Sequence, residues 1–251
     1  MFRARVGAPW LQALAFSVAL TGCSTPTTPR PVARLKVTRF TAFGDSITWG
    51  TASPPGSAFQ LPGLSAFPLA PPSYSYPSRL QAVFSQQYPE QTVSVSNEGW
   101  PGEAVAEGLV RIPEAVTASN PEVLLLLDGA NDLLGNPTSA ETAYIASKLR
   151  DMVRAAKARQ PSVLVFLATF PPQTRGTIPY DRGAGRDFVP ELNQRIAAVA
   201  SSEGATLVDL YAAFPADLKP YIGVDGLHPT EQGFALMAHA FAAVVQQRLR
   251  R

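Results

Sequence analysis

Hydrophobic and polar positions along the chain follow two alternating periods. Val37-Thr38-Arg39-Phe40-Thr41-Ala42-Phe43 is a β-branched and aromatic segment that predicts a buried strand, and Thr92-Val93-Ser94-Val95-Ser96 alternates like a second one. Val123-Leu124-Leu125-Leu126-Leu127 is continuously apolar, as expected of a central parallel strand covered on both faces. Val163 to Leu167 repeats that pattern, and Leu207-Val208 predicts a short last strand. Between them the period changes to that of a helix. Residues 76–88 place Leu80, Val83 and Phe84 on one face, and residues 105–111 form a second helix. Residues 139–159 form a long one, with Tyr144, Ile145, Leu149, Met152 and Val153 directed inward. Helices over residues 188–202 and 230–249 complete the series. Strands alternating with helices imply an α/β fold with a parallel sheet and right-handed crossovers.

Residues 51–76, 171–186 and 211–224 carry neither period. The first is rich in Pro, Ser, Gly and aromatics, and an irregular segment of that length inside a domain is typically functional or disordered. Because it leaves the chain just after a serine-bearing turn, it reads as a wall or lid over a site, the alternative being a surface insertion without a role.

Composition narrows the class. A hydrophobic content of 46% supplies a core, and 251 residues suffice for one α/β domain plus a tail. The formal charge of +2 comes from Arg3 and Arg5, since the remaining chain carries equal numbers of basic and acidic residues. Nothing in that balance points to nucleic acid. Arg3 and Arg5 precede an apolar run from Trp10 to Leu20, which is too short to span a bilayer. Leu20-Thr21-Gly22-Cys23 follows and resembles the cleavage box of bacterial lipoproteins, in which the cysteine is lipidated and becomes the first residue. Cys23 is the single cysteine, so it has no internal disulfide partner. Residues 1–22 are then expected to be a lipoprotein signal peptide. Residues 23–34 would be the lipidated (palmitate-bearing) cysteine and a flexible proline-rich tether, and residues 35–251 the folded domain. Several acyl chains on one residue would hold the protein to a membrane firmly. The expected location is the bacterial cell envelope, and Ser24 leans toward the outer membrane.

Four turns hold the candidate chemistry: Gly44-Asp45-Ser46-Ile47, Asn97 to Glu103, Asp128 to Asp132, and Asp225-Gly226-Leu227-His228-Pro229. In a parallel sheet the carboxyl ends of the strands share one edge, where ligands bind. A serine hydroxyl needs a neighbouring base to become nucleophilic. His228 is the histidine on a loop, whereas His239 falls within the last helix among apolar residues and reads as structural. Asp225, three residues before His228, can receive the other ring nitrogen and fix the tautomer. Gly102 can present a backbone N–H and Asn131 a side-chain amide to a developing oxyanion. Taken alone, the first also reads as a helix-start glycine and the second as a turn former.

In order and spacing these segments resemble the four blocks of the GDSL-type (SGNH) hydrolases, over a match running from about Val37 to the C-terminus. The resemblance implies a flavodoxin-like three-layer α/β/α sandwich with a central parallel sheet of about five strands, and hydrolysis of acyl or carbohydrate esters without a cofactor or metal. It further implies catalytic roles for Ser46, His228 and Asp225, with the Ser46 N–H, Gly102 and Asn131 forming the oxyanion hole. Ile47 stands where the family commonly has leucine. Of two glycines in the second block, counting from Asn97 favours Gly102 over Gly99. Two other readings use the same residues: an acyltransferase with the same triad, and a non-catalytic surface lipoprotein that binds glycan or a partner.

Overall fold

Five short strands pair in parallel in the order β2-β1-β3-β4-β5. They are β1 (Arg39–Gly44), β2 (Ser94–Gly99), β3 (Val123–Leu127), β4 (Leu164–Ala168) and β5 (Thr206–Val208). The computed structural model describes residues 33–53, 70–177 and 181–250. Cys23 and the whole leader lie outside them, as do Phe59 and Phe67 of the irregular segment.

Side chains alternate across β1, so Phe40 and Phe43 leave the sheet on opposite faces. Phe40 packs 5.1 Å from the Phe84 ring of α2 (Tyr76–Gln87), and Phe43 lies 4.0 Å beneath the guanidinium of Arg111 in α3 (Val105–Ser119). Around these contacts the helices form two groups. One holds α2 and the C-terminal α7 (Glu231–Leu249), where Tyr76 stacks on Phe241 at 4.9 Å. The other holds α3, α4 (Ser139–Arg159) and α5 (Val189–Ser202), packed side by side. Short helices α1 (Ser46–Trp49) and α6 (Leu210–Ala213) follow β1 and β5 directly. A sheet between two helical layers is the α/β/α arrangement, and β3 is buried at every position because both its faces are covered. Leu35 anchors the start of the unit: it is buried, and Gln91 hydrogen-bonds both its N–H (2.7 Å) and its carbonyl (3.0 Å).

Three elements differ from the sequence pattern. Strand β2 runs to Gly99, although Asn97 and Glu98 look like turn residues. Pairing with β1 as far as Gly44 opposite Gly99 outweighs composition, since strand preference follows context more than residue type. Helix α3 continues past Arg111 to Ser119 and carries Pro113 inside it. Burial of Ile112, Ala115 and Val116 offsets the hydrogen bond that the proline removes. In α4 the buried stripe is Thr142, Ile145, Leu149, Met152, Val153 and Ala156, while Tyr144 is 45% exposed, one step round the helix from that stripe. His239 is on the exposed side of α7.

Register places the strand ends level. Gly44 is opposite Gly99 in β2 and Leu127 in β3, so the turns after these three strands begin side by side. With β1 between β2 and β3, the order in which strands are added to the parallel sheet reverses here, the position where open α/β sheets form a ligand crevice. Gly99 is part of this fit. A Cβ there would meet Trp49 N at 2.1 Å and Trp49 Cα at 2.6 Å, both backbone atoms of α1. Gly99→Ala should therefore lower unfolding stability by about 1–3 kcal/mol, the usual range for overpacking. Urea denaturation measures this, and an unchanged midpoint would contradict the fit.

Candidate active site

The site is assembled from the end of β1 outward. A Cβ on Gly44 would lie 1.7 Å from the Leu127 carbonyl oxygen, so the strand leaves the sheet at a point only glycine can occupy. Asp45 then caps α1, with Oδ1 accepting the Ile47 N–H at 2.9 Å. Its Oδ2 accepts the Ala130 N–H at 2.9 Å, binding the turn after β1 to the turn after β3. Ser46 is the first residue of α1 and is buried but for 5% of its surface. Asn97 closes the other end of α1, donating to the carbonyls of Thr48 (3.0 Å) and Trp49 (3.2 Å).

His228 arrives from the far end of the chain on a tightly closed loop. Its carbonyl accepts the Gly223 N–H at 2.9 Å, and the Thr230 N–H donates to the Tyr221 carbonyl at 2.9 Å. Thr230 then caps α7 by accepting the Gly233 N–H at 3.2 Å. The Ser46 Oγ lies 2.8 Å from His228 Nε2 across 182 positions of sequence. On the other side of the ring, Nδ1 lies 2.6 Å from Asp225 Oδ2. Asp225 Oδ1 accepts the N–H groups of Leu227 (3.1 Å) and His228 (3.0 Å), and the Asp225 N–H donates to Ser53 Oγ at 3.4 Å. An ionised carboxylate can only accept, which assigns the proton to Nδ1 and leaves Nε2 to accept from the serine hydroxyl. Burial works to raise the Asp225 carboxyl. The hydrogen bond and charge of His228 outweigh it, together with two backbone N–H groups, and hold the group below the ordinary aspartate value.

The two glycines of the second block have different surroundings. The Gly99 N–H donates to Asn97 Oδ1 at 2.9 Å and the residue is packed against α1. Gly102 has φ +85°, and a Cβ there would meet nothing within 4 Å. It sits beside a cavity of about 340 Å³ lined by Trp100, Pro101, Gly102, Glu103 and Glu107. Asn131 donates one amide N–H to the Glu103 carbonyl at 2.8 Å, which fixes the plane of the amide while its second N–H is not used by that bond. Four sequence-distant turns thus meet at one sheet edge. Tyr76, grouped with the aromatics of the irregular segment, is instead fully buried in α2 against Phe241. Tyr74 does reach a surface cavity, of about 720 Å³, with Ala52, Lys219, Pro220, Thr230, Glu231 and Gln232. Among the described residues, no group of three or more His, Cys, Asp or Glu is placed to hold a metal ion.

Beneath the turns lies a set of acids, Asp45 and Asp128 among them, whose burial the sequence does not reveal. Burial raises the Asp45 carboxyl to about 6, against the opposing pull of the Ile47 and Ala130 N–H groups. Asp128 is raised well above the ordinary value by burial and by the charges of Asp45 and Glu103. Its Oδ1 accepts the Gly129 N–H at 2.9 Å, while Oδ2 has no hydrogen-bond partner. An acid whose folded value exceeds its unfolded one stabilises the fold below the unfolded value, and that stabilisation is lost as pH rises. Asp45 loses its share between the ordinary 3.8 and about 6, and Asp128 continues the loss to higher pH. Asp128→Asn keeps an acceptor for Gly129 and removes the buried charge. Urea denaturation should find it close to the parent near pH 4 and more stable than the parent at pH 8; a less stable variant at pH 8 contradicts this picture.

Among known proteins, the model of the GDSL-like lipase/acylhydrolase family matches residues 42–236. No curated protein sequence matches the chain. Solved structures share the fold at low identity. A carbohydrate acetylesterase from Sinorhizobium meliloti is 19% identical with a TM-score of 0.65, covering 84% of this chain and 99% of its own. A lipase/acylhydrolase from Enterococcus faecalis is 22% identical with a TM-score of 0.63, at 84% and 97% coverage. An acetylxylan esterase from Geobacillus stearothermophilus is 23% identical with a TM-score of 0.62, at 84% and 96%. With the family match spanning most of the chain and the parallel sheet beneath it, the protein belongs to the GDSL-like lipase/acylhydrolase family of carboxylic ester hydrolases.

Proposed function

We propose that this chain hydrolyses esters through Ser46, His228 and Asp225, and that it works tethered to a membrane of the cell envelope. The observation that carries the catalytic reading is the unbroken hydrogen-bond line from Ser46 Oγ through both ring nitrogens to Asp225, at 2.8 and 2.6 Å. As an ester carbonyl approaches, Ser46 Oγ forms a bond to its carbon and His228 Nε2 takes the hydroxyl proton. The charge that collects on the carbonyl oxygen is met by the N–H groups of Ser46 and Gly102 and by the Asn131 amide. His228 returns the proton to the departing alcohol, and the same cycle with water frees the acid and restores the serine. Asp225, held ionised by the three hydrogen bonds its carboxylate accepts, keeps the ring oriented and balances its positive charge.

Short acyl esters, including those on sugars, are the substrates this reading favours. Two of the structural neighbours carry acetylesterase names, and Gly102 stands beside a cavity of about 340 Å³. The tether reading rests on Cys23 in its lipoprotein-like box and on the proline-rich residues after it. Among the described residues no helix is long and apolar enough to cross a membrane.

Two measurements test these proposals. Ser46→Ala should lower kcat for p-nitrophenyl acetate by at least about 10⁴-fold while far-UV circular dichroism and the melting temperature hold, because removing a triad nucleophile leaves only residual catalysis. Turnover at the parent rate in that variant rules the triad out. In cells, labelled palmitate should enter the protein and the esterase should sediment with membranes, and Cys23→Ala should abolish both. Label-free protein, or membrane partitioning unaffected by that substitution, rules the anchor out.

A further inference from the structure

Glu103 and Arg111 take no part in the chemistry described above, yet they stand against it on three sides. Glu103 directly follows Gly102 and is only 5% exposed. Arg111, two turns into α3, grips its carboxylate with both arms of the guanidinium, Nε to Oε1 at 2.7 Å and Nη2 to Oε2 at 2.6 Å. The guanidinium lies 4.0 Å over Phe43 and makes a third bond, from Nη2 to the Gly44 carbonyl at 3.3 Å. That carbonyl also accepts the Trp100 N–H at 2.8 Å, so it fixes the start of the Gly102 turn as well. The backbone carbonyl of Glu103 accepts the Asn131 amide at 2.8 Å, and the Val105 N–H donates to Asp132 Oδ2 at 2.9 Å. One ion pair therefore touches the strand end that carries Ser46, the turn that carries Gly102, and the residue that orients Asn131.

We infer that Arg111 and Glu103 are positioning residues for the oxyanion hole, acting through the Gly102 turn and the Asn131 amide; this rests on the assignment of Gly102 and Asn131 given above. A buried ion pair contributes little net stability once its desolvation is counted. A two-armed guanidinium–carboxylate contact is, however, stiff and directional. Oxyanion donors are effective only when their geometry is set before the charge develops, and displacement by about 1 Å can cost 10²-fold. The bond from one Asn131 N–H to the Glu103 carbonyl fixes the direction in which the other N–H points. Lysine at 111 would keep the charge and lose the fork; glutamine at 103 would keep the shape and lose the charge.

The test compares Arg111→Lys, Glu103→Gln, Asn131→Ala and the double variant Glu103→Gln/Asn131→Ala on p-nitrophenyl acetate. Active sites are titrated with a fluorophosphonate, so that kcat counts only competent protein. Each single substitution at 103 or 111 should lower kcat per titrated site by about 10- to 100-fold with KM changed less than about threefold. In the Asn131→Ala background, adding Glu103→Gln should cost severalfold less than it does in the parent, because one of its two routes to the substrate is already gone. Parent kcat per titrated site in both variants, or full additivity with Asn131→Ala, overturns the inference. So does loss of folding in both, which would assign the pair to stability. Ser46→Ala separates the two levels. If it is inactive while the Arg111 and Glu103 variants keep parent rates, only the positioning role falls; if it retains turnover, the reading of the whole site falls.

Discussion

Asp45 joins the ends of two adjacent strands with one side chain. Its carboxylate accepts an N–H from the helix that begins at Ser46 and another from Ala130, so the turns after β1 and β3 are held at a fixed separation. Gly44 makes that approach possible by letting β1 pass against the Leu127 carbonyl. Everything placed on those turns inherits the constraint: Ser46 on one and Asn131 on the other, while the Gly102 turn after β2 is bound to Gly44 through Trp100 and to Asn131 through the Glu103 carbonyl. His228 is then added from a separately closed loop, and its ring spans the gap between Ser46 and Asp225.

The arrangement costs stability at the centre of the fold. Burial raises both Asp45 and Asp128, the Asp45 charge raises Asp128 further, and among the described residues one Asp128 oxygen has no hydrogen-bond partner. A carboxyl so placed is an inefficient way to hold a core together. Rules of packing are commonly broken where a site must be built, and here the buried acids Asp45 and Asp128 lie under the turns. The apolar layers stay conventional, with β3 enclosed on both faces and aromatic pairs locking α2 to β1 and α7.

Much of this was legible in the sequence, for identifiable reasons. Strand β3 and helix α4 match their sequence bounds because a five-residue apolar run and a helix opened by the Thr138–Glu141 capping box are strong local signals. The ends of β2 and α3 were not legible, since Asn97 and Glu98 pair by register and Pro113 is carried by its buried neighbours. Tyr144 is exposed rather than inward, and Tyr76, at the end of the irregular segment, is buried at the start of α2, because residue type alone does not say whether a tyrosine is buried. At the candidate site, Ser46, Gly102 and Asn131 stood out because they follow β1, β2 and β3 at one sheet edge, whereas Asp225 and His228, on the loop before α7, stood out by their spacing and by the family resemblance. Their surroundings did not. Glu103 and Arg111 are eight positions apart across a turn and a helix start, and buried acids read in sequence like any surface acid.

The account depends on the Ser46 hydroxyl being reactive because of where His228 lies. The most direct measurement is peptide mass spectrometry of the protein after exposure to a fluorophosphonate, in the parent and in His228→Ala. The account predicts a single adduct, on Ser46, formed at least a thousandfold more slowly when the imidazole is removed. An adduct on another residue, or modification of Ser46 at an unchanged rate in His228→Ala, would contradict it.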